Sequence, residues 1–93
     1  MPKDYKEAFK WYTKAAEQGN APPQAMLGVM YDNGYGVPKD LVHAYAWYKI
    51  AIANGFEEPK ELIKQIELSP EQLAEAQTLS TEIFNRIEAN KKD

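Results

Sequence analysis

Residues 2–20 read PKDYKEAFKWYTKAAEQGN, and residues 38–56 read PKDLVHAYAWYKIAIANGF. At this offset of thirty-six, eight of the nineteen positions are identical: Pro2/Pro38, Lys3/Lys39, Asp4/Asp40, Ala8/Ala44, Trp11/Trp47, Tyr12/Tyr48, Ala15/Ala51 and Gly19/Gly55. A fixed period of roughly 20–50 residues marks a stacked array, because each unit can bury its apolar face only against its neighbours. Within each copy the shared Ala, Trp, Tyr and Ala recur at i, i+3, i+4 and i+7, one face of an α-helix.

Working outward, the first copy has apolar residues at 5, 8, 9, 11, 12, 15 and 16. The pattern predicts a helix from Asp4 to about Gln18, with Asp4 as N-cap, Glu7 completing a capping box, and Gly19-Asn20 as the stop. The second copy predicts a helix from about Asp40 to Ala53. Its packing face is Ala44, Trp47, Tyr48 and Ala51, and Gly55 ends it. The Trp-Tyr pairs could stack a ligand, but at repeat spacing they are expected in the inter-repeat core.

Between the copies, Pro22 to about Asp32 reads as a helix opened by proline, whose missing N–H has no partner in a first turn. Leu27, Met30 and Tyr31 supply its apolar contacts, and Pro23 could shift its start. Gly28 is costly in a helix interior, so a closely approaching helix is the expected reason for it. Asn33-Gly34-Tyr35-Gly36-Val37-Pro38 is a compact connector.

The repeat is lost after Gly55. Pro59 to Glu67 predicts a short helix with Leu62, Ile63 and Ile66 inward. Ser69-Pro70-Glu71-Gln72 then opens a long helix reaching about Ala89, with an apolar stripe of Leu73, Ala76, Leu79, Ile83, Phe84 and Ile87 and a Glu-rich outer face. The tail 90–93 is expected to fray. The expected fold is all-α: an antiparallel, right-handed stack of helix pairs over residues 2–56, closed by a C-terminal helical cap over residues 57–93.

Composition limits the function. The 93 residues carry a net charge of −3, with six Lys/Arg against five Asp/Glu before residue 57 and five against nine after it. An acidic chain with no basic stripe argues against nucleic acid as partner. No apolar run is long enough for a membrane span, and Met1-Pro2-Lys3-Asp4 lacks the apolar core of a signal peptide. Taken as written, the chain is expected in the cytoplasm; as a piece of a longer secreted chain it would not be. There is no cysteine and one histidine, His43, so no disulfide framework, thiolate metal site or cofactor is expected.

The combined pattern resembles the Sel1-like repeat, a relative of the tetratricopeptide family. Leu27, Gly28, Tyr31, Gly34, Gly36, Val37, Asp40, Ala44, Trp47, Tyr48, Ala51 and Gly55 carry one unit, and Asp4, Ala8, Trp11, Tyr12, Ala15 and Gly19 carry half of another. The resemblance implies helix pairs, a closing segment such as Leu68-Ser69-Pro70-Glu71-Gln72, and non-catalytic binding of a protein or peptide. The absence of cysteine excludes the disulfide-stapled secreted subgroup. One and a half units fall short of the three or more that usually make an array stable.

The resemblance also implies a helix ahead of the first one. Without it, Tyr5, Phe9 and Tyr12 are expected to leave an apolar face in water. Either the chain associates with its own copies, or it is a fragment whose C-terminal helix folds back over that face. In the related fold, ligands lie along the first helix of each pair. Its outward positions here are Pro22, Ala25, Val29, Asp32 and Asn33, with Tyr35 beyond. Asp32 and Asn33 could hold a peptide backbone or simply end the helix, and Tyr35 could be exposed or pack over the turn. Lys14, Lys49 and His43 are expected on solvated faces. A hydrolase reading would need a pocket joining His43 to Ser69, Ser80 or a Glu pair. No phosphate loop, dinucleotide fingerprint or zinc motif is present.

Overall fold

The computed structural model describes residues 4–91, which form five helices and no strand. These are α1 (Tyr5–Glu17), α2 (Ala21–Asn33), α3 (Leu41–Ala53), α4 (Pro59–Lys64) and α5 (Pro70–Lys91). Pro2, Lys3, Lys92 and Asp93 lie outside the described residues.

The helix ends follow local chemistry. The Asp4 carboxylate accepts the Glu7 amide at 3.1 Å, and Asp40 accepts the His43 amide at 3.1 Å. A side-chain oxygen at the N-cap satisfies an amide that has no carbonyl one turn earlier. At α5 the predicted box closes in both directions: Gln72 N–H donates to Ser69 Oγ at 3.1 Å, and Ser69 N–H donates to Gln72 Oε1 at 3.0 Å. Helix α2 starts at Ala21, so Pro22 and Pro23 both fit its first turn without displacing it. Helix α4 is shorter than predicted and ends at Lys64, while α5 runs through Asn90 and Lys91, part of the tail expected to fray.

Helices α1, α2 and α3 stack side by side, and α4 and α5 both pack on α3. Gly28 is where α2 and α3 meet: a Cβ there would lie 2.4 Å from Cδ1 and Cε1 of Tyr48. The missing side chain lets the phenol ring sit flat against the α2 backbone, as the sequence predicts. Tyr48 is buried, and its hydroxyl donates to Asp32 at 3.3 Å.

The core joins Ala16 of α1, Leu27 of α2, Trp47 and Ile50 of α3, and Ile83 and Ile87 of α5. At its edge lies Gln24, fully buried, which periodicity does not single out. Its Nε2 donates to the Ala16 carbonyl at 3.1 Å, and its Oε1 accepts from Asn54 Nδ2 at 2.9 Å. One amide side chain thereby ties the C-terminal ends of α1 and α3 to the start of α2. In the short helix, Leu62 is 38% exposed rather than inward.

Candidate functional site

The two halves of the repeat are not equally buried. On α3, Ala44, Trp47, Tyr48 and Ala51 are all buried, with Trp47 only 4% exposed. On α1, Ala8, Tyr12 and Ala15 are half-buried and Trp11 is 64% exposed. Trp11 is therefore not the core residue that its period suggests. On α3, Tyr48 lies against Gly28 of α2 and Trp47 sits in the core with Leu27 of α2 and Ile83 of α5, whereas on α1 Tyr12 reaches the core and Trp11 does not.

The residues predicted to be left bare are positioned differently. Phe9 packs edge-on against Tyr31, with centroids 5.5 Å apart, and Tyr12 packs on the core. Tyr5 stacks on Tyr35 at 4.9 Å, with the rings 14° from parallel. The connector is drawn over the start of α1, where Gly36 has φ of 74° and a Cβ would meet the Tyr5 carbonyl oxygen at 2.3 Å. The C-terminal helix also reaches α1: Arg86 Nε donates to Glu17 Oε1 at 3.2 Å, and the Lys91 side chain lies over Gly19. α5 thus folds back far enough to reach α1 at Glu17 and Gly19, while the Trp11 side of α1 is exposed.

Helix α2 presents a second surface. Of the outward positions expected there, Ala25 is buried and Asp32 is held by Tyr48, so neither faces solvent freely. The residues that do face outward are Pro22, Met26, Val29 and Asn33, at spacings of four, three and four. Met26 is 37% exposed and Tyr35 41%. Asn33 donates its own amide to the Val29 carbonyl at 2.8 Å, a helix-end bond. The exposed methionine stands out only after α1 and α3 fix which sides of α2 are covered.

His43 is not a free surface group. Its Nδ1 lies 2.8 Å from Asp40 Oδ2, and its ring stacks on Tyr31 at 4.8 Å. Burial raises Asp40, but hydrogen bonds from the His43 backbone and ring, its charge and the Val42 amide outweigh it and hold the carboxyl below its ordinary range. Burial and the nearby Asp40 charge raise the Tyr31 phenol. Burial, then the charge and hydrogen bond of Asp32, raise Tyr48 further.

His43, Asp40, Glu75, Thr78 and Glu82 line an open groove between α3 and α5. The Glu pair that a hydrolase reading requires therefore lines the same groove as His43, with both glutamates exposed to solvent. Neither serine lies in this groove: Ser69 caps α5, and Ser80 donates to the Gln77 carbonyl at 2.9 Å. No metal-ligating cluster occurs among the described residues, and no described helix is long and apolar enough to cross a membrane.

The family model for the Sel1 repeat matches residues 1–20 and 24–56, more than half of the chain. The chitin synthase regulator SKT5 of Malassezia restricta is 40% identical over 55 residues, covering 59% of this chain and 4% of the relative. Chitin synthase regulatory factor 3 of Schizosaccharomyces pombe is 38% identical over 72 residues, covering 77% of this chain and 8% of the relative. The chitin synthase regulator SKT5 of Saccharomyces cerevisiae is 38% identical over 52 residues, covering 56% of this chain and 8% of the relative. The chain thus spans less than a tenth of the length of these relatives.

Proposed function

The chain belongs to the Sel1 repeat family, and from that premise we propose that it is a non-catalytic adaptor that binds a protein or peptide along α2. One observation carries this reading. Helix α2 is packed on α1 and α3, yet its outward stripe of Pro22, Met26 and Val29 is also apolar, ending at Asn33. A helix that is apolar on all sides is normally buried on all sides. Where one apolar side stays in water, an interface is the ordinary reason.

The chemistry suits an extended or helical peptide with one or two apolar side chains. Met26 is unbranched and polarizable, so it adapts to varied partner shapes. Asn33 offers hydrogen bonds at the end of the stripe, and Tyr35 a flat amphipathic ring. The regulator names of the relatives support binding, rather than turnover, as the mode of action. The enzyme those relatives regulate is not carried over from so short a match.

A photoreactive amino acid in place of Met26, compared with one in place of Asn85 on the exposed side of α5, tests the reading in cells. Discrete protein adducts at position 26, lost when Val29→Glu is added, are the expected result. Adducts of equal pattern at both positions would refute a dedicated α2 surface.

A further inference from the structure

The bare stripe of α1 is not only apolar; its charges are ordered along the helix. At 100° per residue, Glu7 and Lys14 flank Trp11 on one side, and Ala8 and Ala15 flank it on the other. Glu7, Lys10, Thr13 and Lys14 line a shallow groove of about 350 Å³ beside the indole. Lys14 Nζ lies 5.3 Å from the Trp11 ring centre.

We propose that this face pairs with the same face of a second copy, the two α1 helices running antiparallel about a two-fold axis beside Trp11. Antiparallel helices bring like flanks together, so Glu7 of each copy meets Lys14 of the other, and the pair occurs twice. A parallel two-fold arrangement would bring opposite flanks together, setting Glu7 and Lys14 against the alanine flank of the partner and forming neither ion pair. On the opposite flank Ala8 of one copy faces Ala15 of the other. These small side chains let the backbones approach, and each indole laps into the groove beside its counterpart. An isologous contact of this kind closes on itself, giving a dimer rather than a fibre.

The expected association is weak. Helix α1 is about 20 Å long, and one of its faces covers well under the roughly 800 Å² per partner of a standard stable interface. Dimer should therefore form only at high micromolar concentration.

Sedimentation equilibrium of the 93-residue chain, from low micromolar to near-millimolar, tests this. The wild type should pass from monomer to dimer. Glu7→Lys and Lys14→Glu should each weaken the dimer at least tenfold, and the double variant should restore it. An equimolar mixture of the two single variants should form a heterodimer tighter than either homodimer, because both cross pairs are then attractive. All three are exposed-site changes, and unchanged circular dichroism and melting would confirm that folding is intact. Trp11→Ala should abolish the dimer. A chain that stays monomeric throughout would overturn the proposal. So would a dimer indifferent to charge reversal or to Trp11→Ala, since its interface would lie elsewhere.

Discussion

Replacing Gly28 with alanine should destabilise the fold, although the same change in an exposed helix would stabilise it. The new Cβ would lie 2.4 Å from two ring carbons of Tyr48 and 3.1 Å from a third. Ordinary contact requires about 3.4 Å or more, so the ring or the helix must retreat by about 1 Å in a close-packed interior. The ring has little room, because Tyr48 is 1% exposed and its hydroxyl is tied to Asp32. Overpacking of this kind costs about 1–3 kcal/mol, and a loosened Tyr48–Asp32 bond adds to it. Against this stands about 1 kcal/mol gained from the helix propensity of alanine. The net loss is about 1–2 kcal/mol, or roughly 5–15 °C in Tm for a domain of this size. Urea titration and thermal melting of both proteins measure it. In a Tyr48→Ala background the sign should reverse, because the obstructing ring is gone. A Gly28→Ala variant as stable as wild type, or a loss that persists without the Tyr48 ring, would refute the argument.

The two tryptophans should respond unequally despite their equivalent places in the repeat. Trp47→Ala should cost about 3–5 kcal/mol in urea titration at low concentration, whereas Trp11→Ala should change stability by no more than about 0.5 kcal/mol. Acrylamide should quench Trp11 and leave Trp47 largely untouched. Gln24→Leu should destabilise the chain by about 1–3 kcal/mol, because the Ala16 carbonyl and the Asn54 amide each lose their partner; equal stability by melting would show that water replaces both bonds. Ser69→Ala should cost about 1 kcal/mol and fray the start of α5, visible as faster amide hydrogen exchange at Gln72. The Asp40 carboxyl is depressed in the fold, so the unfolded chain binds its proton first as pH falls. Its contribution is present above the unfolded carboxyl range and is lost as pH drops through about 4 toward the folded value. Asp40→Asn should therefore flatten that part of the stability profile, and an unchanged acid limb in urea titrations would contradict it.

Much of the fold is legible in the sequence because its signals are local. Asp4, Asp40 and Ser69 cap helices whose own amides lie within three residues, so neighbours in the chain suffice to identify them. The stripe of Ala44, Trp47, Tyr48 and Ala51 follows from helical periodicity, and Gly28 marks a close approach because nothing else explains glycine in mid-helix. The candidate surfaces are less legible. Ala25 and Val29 share a reading as outward residues, yet the packing of α2 buries the first and leaves the second partly open. Glu17 and Arg86 are 69 residues apart and meet only because α5 crosses to α1. Tyr5 and Tyr35 meet because Gly36 draws the connector over α1.

The sequence by itself determined the repeat, the helices, their caps and the side of each helix that seeks cover. Only the tertiary structure decided which of those sides found it. Trp11 and Trp47 show why: periodicity specifies the face a residue occupies on its own helix, whereas burial depends on a second helix arriving there. α2 and α5 bring Leu27 and Ile83 into the core with Trp47, and among the described residues Trp11 stays 64% exposed.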